Sequence, residues 1–459
     1  MKKSTLAMAV AFGVMAQQAG AAGFIEDSKA SVSSRTLYFN NDPREGTGNR
    51  TEETATGLKF DYLSGFTQGT VGFGLDVQAL VGVHLDGGRG HHGVNGAISP
   101  SEDFATKDNQ ATAKSVDEWT RLGANAKARF SKTELRLGNA LAPNLPILVS
   151  NDGRLLPQAF EGGIVSSKEI DNVTLTAGRL SQVIGRASSN WSGMGMSGTG
   201  AYKDSNNFSF AGGDWKVTKD LTLQYYYANL EDFYKQHFLG LVHVLPLGED
   251  QSFKTDLRYF NSSKDGKNGE AGYAFNNNGG YAKNAGEVDN QTWSAMFTYA
   301  LGGHSLMVGH QQVGDDGGIA YMSSGNVTNN GRSNGRNEGN GGSSFYLFTD
   351  SMISAFNRAG TNTTFGQYQY DFARVGVPGL KAAIAYLHGD DIKGTGATVG
   401  REFSEWERDV RVDYVIQSGP LKGFGTTVRH GSYRADADLA GATDADQTRV
   451  IFNYTYAFK

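Results

Sequence analysis

The feature that most constrains this chain is a period of two held for about fifteen residues at a stretch. From Val71 to Leu85, the residues Val71, Phe73, Leu75, Val77, Ala79, Val81, Val83 and Leu85 are apolar. Between them stand Gly72, Gly74, Asp76, Gln78, Gly82 and His84, with Leu80 the exception. Successive side chains on a strand point to opposite faces, so such a segment has one greasy and one wet face. It is much longer than the usual globular strand of five or six residues, and fits a tilted membrane strand with an extension above the bilayer. The same period returns at Leu122–Phe130, Thr133–Leu137, Phe253–Tyr259, Trp293–Tyr299 and Val450–Phe458.

A soluble sandwich also alternates, with its apolar face turned inward. Aromatic residues near strand ends, as at Tyr225–Tyr227 and in the series Tyr454, Tyr456, Phe458, favour the inverted arrangement. So does the contrast between tight turns, such as Ser131-Lys132 and Thr218-Lys219-Asp220, and long glycine-rich connectors. In lipid, a closed barrel satisfies every backbone group where an open sheet cannot. The expected fold is therefore all-β, a transmembrane antiparallel β-barrel forming one domain over residues 23–459. At about 24 residues per strand with its share of loops, the chain supplies roughly eighteen strands. That size leaves a watery lumen.

Composition agrees and removes other classes. Glycine numbers 62 of 459 residues, with 20 Tyr and 26 Phe, which suits strands, turns and aromatic surfaces. No mature stretch reaches the roughly 18–20 apolar residues of a spanning helix, so a multi-pass helical protein is excluded. A net charge of -5 lacks the basic excess of a nucleic-acid binder. Without cysteine there is neither disulfide nor thiolate chemistry. Residues 1–22 carry Lys2 and Lys3, a short apolar core from Leu6 to Met15, and Ala19-Gly20-Ala21-Ala22. They read as a signal peptide cleaved after Ala21 or Ala22.

No GxSxG or HExxH motif occurs, and His91-His92 stand without a third histidine nearby. No catalytic residue, metal or cofactor is therefore expected. The segment Asn139–Gly163 is different from the other connectors, holding Pro143, Pro146 and Pro157 among bulky apolar residues. Such a segment needs a buried site, and the lumen offers one, so it is expected to fold inward as a constriction loop carrying Asp152, Arg154, Pro157 and Glu161, the alternative being a cap on the barrel mouth. Strand pattern is expected to resume at Ser344–Phe348 after a polar loop from Val313 to Gly342. Lys127, Arg129 and Arg136 share one polar face, and Arg258 and Arg411 lie on others, with Glu134, Asp256 and Asp413 as available partners. A row of cations in a confined pore eases anion entry, and guanidinium forks fit carboxylates.

Five segments, GFIEDSKASVSSRTLYFNND, SGFTQGTVGFGLDV, NDGRLLPQAFEGG, YDFARVGVPGL and WERDVRVDYVIQSGPLKGF, resemble the OprD family of outer-membrane porins. They run from Gly23 to near the C-terminus. The resemblance implies an eighteen-stranded, substrate-selective channel in the Gram-negative outer membrane. Through it small carboxylate-bearing nutrients, amino acids or organic acids, would pass by diffusion. It implies a narrow eyelet and lumen-facing basic residues. By position Arg35, Arg121, Arg129 and Arg154 match family basic sites, and Arg429 matches the second member of an arginine pair. Thr427 stands where the first would be, Asn41 where arginine is common, and Thr361–Phe365 replaces an acidic-Ser-Trp stretch, which leaves the substrate branch open. The partners this implies are outer-membrane lipid and lipopolysaccharide, small carboxylate solutes and the barrel-assembly machinery, with a monomer or a trimer both open. The competing classes are a barrel enzyme, lipase or protease, and a non-conducting structural barrel.

Overall fold

A computed structural model describes residues 23–44, 50–86, 115–196, 203–324, 328–329, 332–333 and 344–458. Eighteen antiparallel strands make one continuous sheet. They begin with β1 (Lys29–Pro43), β2 (Thr51–Leu63), β3 (Val71–Asp86), β4 (Glu118–Phe130), β5 (Thr133–Leu141) and β6 (Ala159–Ser167). Next come β7 (Val173–Ile184), β8 (Phe208–Lys216), β9 (Leu221–Leu230), β10 (Tyr234–Gly248), β11 (Gln251–Lys264) and β12 (Asp289–Leu301). The last six are β13 (His304–Val313), β14 (Asn362–Asp371), β15 (Leu380–Lys393), β16 (Glu402–Val415), β17 (Gly425–Ala435) and β18 (Ala445–Phe458). Each strand pairs with its neighbours in sequence, and β18 closes onto β1 from Ala30↔Phe458 to Pro43↔Ala445. Closure removes both sheet edges, which a lipid environment demands.

The apolar residues of the period-two pattern face outward. Phe73, Leu137, Trp293, Phe297, Phe452 and Tyr456 are all exposed, and Leu122 keeps 72% of its surface open. On a protein in water such a band would be a large exposed patch; around a closed barrel it is the lipid-facing belt. Leu80, the exception to the alternation, turns inward and is buried at 3% exposure.

The connectors sort by end. At one end the strands are joined tightly, by Ser131-Lys132, by 249–250 and by 302–303. Beside the first of these, Glu169 accepts hydrogen bonds from Ser131 Oγ, Lys132 N and Thr133 Oγ1, which clasps two adjacent turns together. Those bonds favour the ionised carboxylate and hold its pKa below the ordinary value. At the other end lie the long connections 142–158, 185–207, 265–288 and 314–361.

Several sequence expectations need correction or placing. The inward segment is shorter than Asn139–Gly163: Asn139–Leu141 complete β5, and Glu161 belongs to β6, so the loop proper is 142–158. Glu161 is a wall residue because the ladder with β7 restarts at Ala159, with a bulge between Glu161 and Gly162. Ser344–Phe348 is not a strand; it belongs to the connection that ends at Thr361, and its alternation is that of an irregular segment packed on one side. The signal segment 1–22 and His91-His92 lie outside the described residues.

Candidate functional site: the narrowed lumen

Apolar residues on the wet face of the wall mark where the loop 142–158 docks. Leu155 and Leu156 pack with Leu37 and Phe39 of β1, Ala55 of β2, Leu80 of β3 and Trp119 of β4. Ile147 and Leu148 join a larger cluster with Phe160, Met194, Phe238 and Phe345. The same cluster takes in Met322 and Leu347, so parts of 185–207 and 314–361 also fold into the barrel. Pro143 and Pro146 suit this, since the loop makes only one two-residue ribbon, Asn144–Leu145 with Leu148–Val149.

Polar ties fix the loop in place. Arg35 on β1 donates to Asp152 Oδ1 at 2.7 Å, to Asp152 Oδ2 at 3.2 Å and to the Arg154 carbonyl at 2.6 Å. Arg121 on β4, buried, donates to the Pro157 carbonyl at 2.7 Å and to the Gly185 carbonyl at 3.3 Å. Asp152 therefore pairs with the wall arginine rather than with Arg154. The Arg154 guanidinium instead lies 4.8 Å from the centroid of the Phe39 ring.

Two strands beyond the closure, 344–361 is held by β16. Glu407 accepts the backbone N–H groups of Met352 and Ile353 at 2.8 Å each and of Ser354 at 2.6 Å. Glu405 receives Tyr433 Oη and Ser354 Oγ, and forms a 3.4 Å ion pair with buried Arg358. Further round, Arg258 forks onto Asp256 at 2.8 and 2.9 Å, donates to the Tyr346 carbonyl at 2.9 Å and stacks 3.8 Å from the Tyr346 ring centroid.

Between these anchors runs a row of three arginines. Arg411 on β16 is directly opposite Arg429 on β17, and Arg429 is directly opposite Arg449 on β18. All three alternate with outward Val412, Val428 and Val450, so they share the lumen face. Arg411 is forked onto Asp413 at 2.6 and 2.8 Å. Arg449 is buried, bonded to Gln447 Oε1 at 2.8 Å and to the Met352 carbonyl at 2.7 Å. Arg429 makes no hydrogen bond or ion pair with any described residue, while Asp409, Glu407, Arg411 and Arg154 surround it within electrostatic range.

The remaining basic residues lie toward the tight-turn end. Lys127 is buried, 2.7 Å from Asp76 Oδ1 and bonded to the Ser64 carbonyl at 2.8 Å, which ties the 64–70 turn to the wall. Arg129 stacks 4.2 Å from the Phe66 ring centroid and is exposed. It borders a cavity of about 520 Å³ beneath the loop, lined also by Asp61, Asp76, Asn125, Glu134 and Arg136. Of the eight basic residues singled out by sequence, Arg154, Arg411 and Arg429 stand together. Arg35, Arg121, Arg258 and Lys127 are engaged in holding loops or turns, and Arg129 stands apart. Sequence reasoning missed Arg449, Arg186, Glu405 and Glu407. Alternation could have found Glu405, Glu407, Asp409, Arg411 and Asp413, which occupy every second position of one strand.

The match to known proteins is extensive. The chain is 32% identical over 474 residues to Porin D of Pseudomonas aeruginosa, covering 99% of this chain and 98% of that protein. It is 33% identical to the porin-like protein GalP of Pseudomonas putida, over 95% of this chain and 94% of that one. The crystal structure of Pseudomonas aeruginosa OccK8 (OprE) superposes with a TM-score of 0.81 at 42% identity, over 95% of this chain and 100% of that chain. That of Pseudomonas aeruginosa OpdK with vanillate superposes at 0.76 and 31% identity, over the same shares. The family model for outer membrane porins of the OprD family matches residues 22–458, and the chain thus belongs to this family of Gram-negative outer-membrane channels, which are not enzymes.

Proposed function

We propose that this channel is selective for small solutes bearing a carboxylate, amino acids or organic acids, which diffuse past the row Arg411–Arg429–Arg449. The observation that carries the reading is Arg429, a lumen-facing guanidinium between two others and without a hydrogen-bonded partner among the described residues. Like charges directly opposite one another on paired strands destabilise the sheet. A row of three is therefore a folding cost with an electrostatic use. A carboxylate entering the narrowing sheds part of its hydration, and a guanidinium fork replaces it. Arg154, on the loop, and Arg449, at the end of the row, share the Phe39 ring, their guanidiniums 4.8 and 5.9 Å from its centroid. OpdK, whose structure holds vanillate, an aromatic carboxylate, supports the same class of solute.

The rest of the reading concerns delivery. Residues 1–22 would direct export, and the barrel-assembly machinery would insert the mature chain beneath lipopolysaccharide, as a monomer or trimer. The direct test of selectivity is flux into proteoliposomes of a carboxylate and of its uncharged amide of similar size, at low and high salt. The carboxylate should pass faster at low salt, and the difference should shrink as salt screens the row. Equal fluxes at both ionic strengths would defeat the proposal.

A further inference from the structure

Among the described residues, Asn151 is where three of the inward-packed segments meet. It lies in the loop 142–158 and is buried. Its Nδ2 donates to Ser344 Oγ at 2.9 Å, on the connection 314–361. Its Oδ1 accepts from Arg186 Nη1 at 3.0 Å, on the connection 185–207, and from Gly153 N at 2.9 Å within its own loop. Its backbone is closed as well: the N–H donates to Gln158 Oε1 at 3.1 Å and the carbonyl accepts Gln158 N at 2.8 Å.

The chemistry of the pocket requires an amide. Arg186 offers only donors, so the oxygen must face it and the NH2 must face Ser344. The Ser344 hydroxyl oxygen accepts the Asn151 N–H. A carboxylate at 151 offers no donor to Ser344 and would have to take the hydroxyl proton instead, and an alanine would remove the bonds to both Ser344 and Arg186.

We infer that Asn151 is a positioning residue that locks the three loops to one another and so sets the outline of the eyelet. The wall arginines Arg35 and Arg121 hold the loop 142–158 to the barrel; Asn151 holds it to the other two loops. The inference rests on the reading of these segments as the narrowing of the channel, but not on which solute passes.

The test is single-channel recording in planar bilayers of the full mature chain with Asn151→Asp, Asn151→Ala, Ser344→Ala, Ser344→Thr and the double variant Asn151→Ala/Ser344→Ala. Equal heat-modifiable mobility would show that each barrel is closed. Asn151→Asp and Ser344→Ala should each raise open-channel noise and brief closures about fivefold, the scale of losing one hydrogen bond. Ser344→Thr, which keeps the hydroxyl, should be as quiet as the parent. The double variant should be no noisier than Asn151→Ala, because both changes cut one link. Quiet channels from Asn151→Ala, or additive noise in the double variant, would overturn the inference. If Asn151→Ala fails to assemble, Ser344→Ala against Ser344→Thr decides alone. Loss of carboxylate preference in the parent protein would sink the proposed selectivity and leave this noise comparison intact.

Discussion

Arg35 reaches from the first strand to the loop 142–158 with one guanidinium, meeting Asp152 Oδ1 at 2.7 Å and the Arg154 carbonyl at 2.6 Å. The bond to the carbonyl fixes the backbone just where Arg154 leaves it, so the position of one basic side chain depends on another. Replacing Arg35 with Ala should loosen the segment from Asp152 to Arg154 and raise single-channel conductance. Arg35→Lys can satisfy Asp152 or the carbonyl but not fork across both, and should fall between. Conductance identical to the parent in a correctly inserted Arg35→Ala barrel would assign loop placement to the apolar contacts alone.

Those contacts give a second prediction. Leu80 and Leu156 are buried at 3% and 2% exposure where the wall should be wet. Leu80→Ala removes a buried side chain under the loop, at a cost of about 2–5 kcal/mol to its docking. The expected result is a larger, less selective channel in a barrel that still closes, read as raised conductance with unchanged heat-modifiable mobility. A conductance no different from the parent would mean the loop does not rest on Leu80.

The barrel was readable because its determinant is local: period-two alternation needs only neighbouring residues, and Val71–Leu85 displays it without help from the rest of the chain. The proline-rich segment stood out because its apolar residues differ from the other connectors, and Leu155 and Leu156 pack on Leu37, Phe39 and Leu80. Its bounds were not legible, because Asn139–Leu141 and Ala159–Gly163 are strand only through pairing with β4, β6 and β7. Leu80 was visible as an anomaly and is now explained by Leu155 and Leu156. The arginine row was hidden because register places Arg411, Arg429 and Arg449 side by side from three strands, and no spacing within one strand reveals that. Arg121 and Arg35 share the sequence look of Arg429, yet their partners are carbonyls of a distant loop. Pairings two residues apart on one strand, Arg258 with Asp256 and Arg411 with Asp413, were legible for the opposite reason.

Asp350 predicts a pH dependence. It lies on the connection 314–361, open to lumenal water yet enclosed by protein on most sides, and burial pushes its carboxyl up to about 6. Hydrogen bonds from Ser344 and the Phe345 N–H, with Arg186 and Arg449 nearby, pull the other way and are outweighed. A raised carboxyl pKa means the folded protein binds this proton more tightly than the unfolded chain does. Its contribution to stability is full below the ordinary carboxylate range and is lost as pH rises through about 6. Across the same window the eyelet gains a negative charge. Anion-to-cation permeability should therefore fall by roughly a factor of two between pH 5 and pH 7, and Asp350→Asn should flatten the profile. Reversal potentials that do not move between those pH values would show Asp350 to be outside the field felt by permeating ions.

The arginines can be separated by what each leaves behind. Arg429 faces its row without a hydrogen-bonded partner among the described residues, so Arg429→Gln removes a charge and breaks no hydrogen bond. Arg121 holds the Pro157 and Gly185 carbonyls, so Arg121→Gln removes a brace from two loops at once. Two unit charges about 4 Å apart interact by roughly 4 kcal/mol at an effective dielectric near 20. Lumenal water and the acids Asp409 and Glu407 leave a fraction of that, and even about 1.4 kcal/mol is tenfold in site occupancy. Conduction requires release as well as binding, so a row of moderate sites serves flux better than one tight site. Arg429→Gln should then slow a carboxylate severalfold while its amide passes as before, and added salt should erase the difference. Arg121→Gln should alter both solutes together, whatever the salt, because it changes the shape of the opening. If Arg429→Gln slows the carboxylate and the amide equally, the row shapes the wall and does not attract the solute.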